Sequence, residues 1–173
     1  DQKDTLIVSM LERADSRDIL FLKKDIFENY NNKELRILTS SPRRVYNFSN
    51  FLESLLPFNP KRITFEDVRG NIPTRLRKLL NGECQGLIVA KAAIDRLISY
   101  GNKDVSGKIQ SYLDDLLWMI IPLSLNPCAP GQGAIAVEVN SKRKDIIELI
   151  NKINHIETFS QVIKEREILQ NYG

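Results

Sequence analysis

The tightest constraint on this chain is an alternation. Short apolar runs of strand character are each followed, after a brief polar turn, by a stretch with helical spacing. Leu35 to Leu38 leads through Thr39 and Ser40 to Ser41 and Pro42. Ser41 is a good N-cap, and Pro42 suits the first helical position, where its missing N–H costs nothing. Val45, Phe48, Phe51 (or Leu52), Leu55 and Leu56 then keep helical spacing up to Pro57. Ile63 to Val68 reads as a strand and Asn71 to Leu80 as a helix, with Pro73 near its start and Asn81-Gly82 as its stop. Gln85 to Ala90 and Ala92 to Ser99 repeat the pattern. Strands alternating with helices over short connections predict an α/β fold, an open sheet with helices on both faces.

The ends of the chain add more elements. Thr5 to Met10 reads as a short buried strand that leads into the charged stretch Glu12 to Asp18. A helix is expected from about Val105 to Leu117 and a strand from Ala134 to Val139. Helices are expected over Arg143 to Ile153 and Ile156 to Gln170.

Two of the strand–turn–helix junctions carry arginines in the opening turns of the helix. The first is Ile37-Leu38-Thr39-Ser40-Ser41-Pro42-Arg43-Arg44, and the second runs from Phe65 through Asp67, Arg69, Gly70 and Asn71 to Arg75. A helix N-terminus offers free N–H groups and a positive dipole end. Arginine adds a planar fork of donors that fits a carboxylate or phosphate. Ligands of open α/β sheets bind at the carboxyl ends of the strands, where both junctions sit. Two junctions in succession point to a ligand with several negative groups. The plainer alternative is that Arg43, Arg44, Arg75, Arg77 and Lys78 form solvated helix faces.

Composition limits the choices. The 173 residues are 42% hydrophobic and 27% charged, enough for one sizeable core. A net charge of +3 is too mild for nucleic-acid binding by bulk electrostatics, and 8% aromatic residues are few for base-stacking platforms. No apolar run approaches the ~18 residues of a membrane span. The chain opens Asp1-Gln2-Lys3-Asp4 without a secretory signal, and its two cysteines make no disulfide framework, so a cytoplasmic location is expected. One histidine and two scattered cysteines make no familiar metal-ligand cluster. His155 is expected to pack or cap at a helix start.

Three segments together resemble the hydroxymethylbilane synthase (porphobilinogen deaminase) family. Thr39-Ser40-Ser41-Pro42-Arg43-Arg44 resembles its T-S-S-x-R-R segment. Asp67 to Leu76 resembles D-x-R-G-N-x-x-T-R-L, and Ala129-Pro130-Gly131-Gln132-Gly133-Ala134 resembles an A-P-G-Q-G-A hinge. Lys78 to Glu83, Arg96-Leu97, Glu12 to Asp18, and Asn154 to Thr158 also match, in the family's order. The resemblance implies a three-domain enzyme whose first two domains are periplasmic-binding-protein-like. That enzyme joins four porphobilinogen molecules, with loss of ammonia, into hydroxymethylbilane on a covalently held dipyrromethane cofactor. Each pyrrole bears an acetate and a propionate. By this resemblance Thr39, Ser40, Ser41, Arg43, Arg44, Arg69, Arg75 and Gln132 hold the cofactor, and Arg96 binds carboxylates of incoming or growing pyrroles.

The same resemblance divides the chain. Residues 1–14 are expected to end a first domain and begin its hinge, 15–128 to form the second domain, 129–153 to return to the first, and 154–173 to start the third. The family's catalytic aspartate lies in an H-S-x-K-D segment that does not occur here, and neither Asp18 nor Asp67 matches it. The cofactor's attachment cysteine lies in a G-G-C segment without a counterpart here, so Cys84 and Cys128 read as small buried or loop residues. Ala93-Ile94-Asp95 replaces the usual G-L-K before Arg96. The parent is expected to be a monomeric transferase of haem biosynthesis, with porphobilinogen and oligopyrrole intermediates as partners, no nucleic acid and no membrane. The fragment alone is expected to be inactive. A stand-alone small-anion-binding module of the same fold is the alternative.

Overall fold

A computed structural model describes residues 4–29 and 33–172. The chain forms two compact units, one of Arg17–Cys128 and one of Asp1–Ser16 with Ala129–Gly173.

The larger unit is built on five strands: β2 (Asp18–Lys23), β3 (Glu34–Leu38), β4 (Arg62–Glu66), β5 (Gly86–Ala90) and β6 (Leu116–Ile120). Before them in the chain stands β1 (Thr5–Met10), which belongs to the smaller unit. The spatial order is β4-β3-β5-β2-β6. β3 pairs in parallel with β4 and β5, while β2 pairs antiparallel with β5 and β6. The expected α/β sheet is present, and helices cover both faces. The short α1 (Ile26–Asn29) and α2 (Pro42–Leu55) bury Ile26, Phe48 and Leu52 against Leu20, Leu35, Ile37 and Ile88. On the other face α3 (Ile72–Asn81), α4 (Lys91–Tyr100) and α5 (Lys103–Asp114) bring Leu76, Leu79, Ile94 and Ile109 onto Phe21, Leu87 and Val89.

Two strands depart from the sequence reading. β2 follows directly on the charged stretch, and its run Ile19-Leu20-Phe21-Leu22 is buried on both faces. A strand buried on both faces shows no alternation, so period-two patterning cannot reveal it. The helix expected to reach Leu117 stops at Asp114, and Leu116-Leu117-Trp118-Met119-Ile120 forms an edge strand instead. Pairing with β2 (Phe21 opposite Trp118) decides the matter, because a short apolar run fits helix or strand equally well.

In the smaller unit β1 pairs antiparallel with β7 (Ala136–Asn140), beside α6 (Lys144–Asn151) and α7 (Ile156–Tyr172). β1 is buried only at Ser9 and Met10; Leu6 is 52% exposed. His155 caps α7: its Nδ1 accepts the Thr158 N–H at 3.3 Å and stands 2.9 Å from the Thr158 hydroxyl. The loop Gly131-Gln132-Gly133 is held by its own backbone and by the side chains of Arg13, Gln132 and Glu165, the last accepting the Gly131 N–H at 2.8 Å. Arg13 donates to Glu165 (2.6 and 3.0 Å) and to the Gln132 carbonyl (3.0 Å), while Gln132 Nε2 donates to the Ser16 carbonyl (2.6 Å). Gly133 has φ +88°, and a Cβ there would sit 2.4 Å from the Ala14 carbonyl oxygen.

Gly133→Ala is therefore expected to destabilise the smaller unit by about 1–3 kcal/mol, the cost of a strained backbone that cannot relax. Gly107→Ala, in α5 with nothing near its added methyl, is expected to be neutral or stabilising by up to about 1 kcal/mol. Urea midpoints of the two variants check both; equal shifts would sink the strain assignment.

Candidate functional site

The carboxyl ends of β3, β4 and β5 converge where the sheet order reverses. After β3 the chain steps to β4 on one side, and after β4 it returns to β5 on the other. Such a switch point opens a crevice beyond the strand ends. Here the crevice is a cleft of about 700 Å³ within the larger unit. Arg44 reaches it from the first turn of α2, Arg75 from α3 and Arg96 from α4. Val89, Ala90, Ala93 and Leu97 give it an apolar wall.

The first junction is built tightly. Ser41 caps α2, its hydroxyl accepting the Arg44 N–H at 3.4 Å, and Pro42 opens the helix as expected. Thr39 is buried, its hydroxyl accepting the Ser41 N–H (3.4 Å) and its N–H donating to the Glu66 carbonyl (2.8 Å). The Ser40 hydroxyl donates to the Val68 carbonyl (2.6 Å) and accepts the Val68 N–H (3.0 Å). The three hydroxyls thus shape the loops, and Ser40 ties the first junction to the second.

At the second junction Gly70 turns the chain with φ +118°, and Asn71 caps α3 by accepting the Thr74 N–H at 3.0 Å. Arg75 Nε donates to the Gly70 carbonyl (2.7 Å), which draws the guanidinium along the turn. Arg69 is exposed and is not among the cleft residues; its carbonyl accepts from Lys78 Nζ at 3.0 Å. Gln132 belongs to the other unit.

Behind the cleft lies a group that the sequence reading did not assign to the site. Asp18, the first residue of β2, is fully buried. One of its oxygens accepts from Arg44 NH2 (2.7 Å), the other from Arg43 NH2 (2.7 Å) and Asn126 Nδ2 (2.8 Å). Arg43 NH1 donates further to Asn126 Oδ1 (3.0 Å) and the Pro127 carbonyl (2.5 Å), and Asn47 Nδ2 also donates to Asn126 Oδ1 (3.0 Å). Burial by itself raises the Asp18 pKa, but the bonds and charge of Arg44, then the bonds from Arg43 and Asn126, outweigh it and hold the carboxyl below its ordinary value. Asp18 is thus an anion inside the fold. Asp18 could have been suspected as the last charge before an apolar run; Asn126, in a polar loop, carried no signal.

Arg44 is only 12% exposed, and its Nε is buried without a partner among the described residues. The cleft-lining guanidiniums and the apolar wall beside them fit an acidic ligand with an apolar body. Cys84 is buried near the Arg36–Glu66 pair, and burial followed by the Glu66 carboxylate pushes its thiol up to about 11, far from a reactive thiolate. No helix among the described residues is long and apolar enough to cross a membrane.

Comparison with known proteins identifies the family of the chain. Residues 1–148 match the family described as porphobilinogen deaminase, dipyromethane cofactor binding domain. The chain is 33% identical over 171 residues to a porphobilinogen deaminase of Syntrophomonas wolfei, covering 96% of this chain and 47% of that protein. It is 35% identical over 167 residues to a probable porphobilinogen deaminase of Picrophilus torridus, covering 96% and 50%. The chain spans about half the length of the curated relatives it matches. An arginine transport periplasmic binding protein from Legionella pneumophila is a loose structural neighbour (TM-score 0.37, 15% identity, 95% of this chain and 64% of that one). The chain belongs to the porphobilinogen deaminase family, in the part that binds the dipyrromethane cofactor.

Because the folded pKa of Asp18 lies below its unfolded value, its contribution to stability is complete above about pH 4 and is lost as the pH falls through the folded pKa. Urea unfolding at pH 7 and pH 3 is expected to show a large acid loss, shared with Glu66 and Glu165, whose pKa values are also lowered. The loss is expected to be smaller in Asp18→Asn. An identical acid loss in that variant would mean that Asp18 is not ionised in the folded chain.

Proposed function

We propose that this member of the porphobilinogen deaminase family is the carboxylate-holding part of a hydroxymethylbilane synthase. In such an enzyme four porphobilinogen molecules are joined with release of ammonia. The observation that supports the reading is the convergence of Arg44, Arg75 and Arg96, from three separate helices, on one apolar-walled cleft. Each pyrrole brings an acetate and a propionate, so a short pyrrole chain needs several cationic contacts and an apolar surface for its rings. When bound, the dipyrromethane cofactor supplies the pyrrole chain that is extended.

In this proposal Arg44 and Arg75 pair with cofactor carboxylates and Arg96 with those of the incoming or growing pyrrole. Thr39, Ser40 and Ser41, assigned to the cofactor by the family resemblance, contribute by shaping the α2 N-terminus from which Arg44 projects. Arg43 contributes mainly through the buried network, with less of its fork left for ligand. Arg69, one residue before the cleft-lining Gly70, and Gln132, in the other unit, are assigned by the family resemblance. The expected division at residues 14, 128 and 153 stands as part of the same proposal, as do the monomeric state and the cytoplasmic location.

Arg44→Ala and Arg75→Ala are each expected to weaken binding of a synthetic dipyrromethane tetracarboxylate. The loss of a charge-assisted hydrogen bond, about 1.5–3 kcal/mol, corresponds to roughly 10- to 150-fold in Kd. Calorimetric titration of the chain checks this, with the tetramethyl ester as the uncharged control. Equal binding of acid and ester would refute a carboxylate site, and equal binding of free acetate and the dipyrromethane would favour a general anion module. Porphobilinogen consumption is expected in the full-length parent and not in this chain; turnover by the chain alone would overturn the assignment of the missing groups.

A further inference from the structure

Two arginines side by side at a helix start would repel each other, and each is free to point elsewhere unless something holds it. The structure supplies that hold from an unexpected direction. The side chain of Asp18 comes from the first residue of β2, a strand that lies next to β5 rather than beside the α2 junction in the chain. It is fully buried, and it takes one guanidinium on each oxygen at 2.7 Å.

We infer that Asp18 is a positioning residue for carboxylate recognition, setting both the direction and the charge of the arginine pair. This rests on the functional reading above. The direction follows from the bonds. Arg44 is held by Asp18 through NH2, and the same side chain lines the cleft. Arg43 is held by Asp18, Asn126 and Pro127 together. The charge follows from the pairing: the Asp18 carboxylate offsets part of the positive charge of the two guanidiniums it holds.

A role through Arg44 can be told from a role in folding by a double-mutant cycle. Binding of the dipyrromethane tetracarboxylate is measured for the unmodified 173-residue chain and for Asp18→Asn, Arg44→Gln and the double variant. Asp18→Asn is expected to weaken binding at least tenfold, but to have little further effect when Arg44 is already Gln. Additive losses would show that Asp18 does not act through Arg44 and would overturn the inference. Asp18→Asn/Arg43→Gln leaves the local net charge unchanged and guards against simple misfolding. It is expected to melt cooperatively and still bind at least tenfold more weakly than Arg43→Gln alone. Failure of that balanced variant to fold, or binding equal to Arg43→Gln, would make Asp18 a folding residue and refute the positioning role. If the unmodified chain does not bind the probe, the functional reading falls and the inference falls with it; if it binds and the cycle is additive, only the inference falls.

Discussion

The site depends on one buried carboxylate. Moving a charge out of water costs several kcal/mol unless partners and hydrogen bonds compensate. Asp18 has three donors arranged on two oxygens, and they come from α2 and from the loop at Asn126. The start of β2, the first turn of α2 and the loop after β6 are therefore fastened at a single point. Break that point, and two partly buried guanidiniums, one of them lining the cleft, lose their counter-charge.

Around this point the polar groups divide their labour. Hydroxyls that could have faced a ligand instead fix the loops: Ser41 caps, Thr39 braces the Ser41 N–H, and Ser40 bridges to Val68. What remains for the cleft are guanidiniums, one of which the fold has already fixed in direction. Preorganised donors of this kind bind an anion without first having to be ordered.

Much of this was legible from residue types. Ser41-Pro42 and Asn71 with Pro73 announced two helix starts, and both cap as their chemistry requires. The α/β class followed from the alternation of β3, α2, β4, α3 and β5. What escaped was what depends on partners far along the chain. β2 is apolar on both faces and so has no period, while β6 became a strand only because β2 lies beside it. The Asp18–Asn126 bond spans 108 positions and could not be read from either neighbourhood. Arg43 and Arg44 look alike in sequence, yet Arg43 bonds on to Asn126 and Pro127 while Arg44 lines the cleft.

The antiparallel placement of β2 has a consequence for the unit as a piece of polypeptide. β2 begins the larger unit and β6 nearly ends it, and they are neighbours: Ile19 faces Ile120, and the Ile121 N–H donates to the Asp18 carbonyl at 2.9 Å. Residues 17–128 thus leave and rejoin the remainder of the chain at adjacent places. Chain ends that meet are what allow one domain to be inserted into another or circularly permuted. The arginine cleft lies wholly within residues 17–128, and its anchoring carboxylate is the second residue of that stretch.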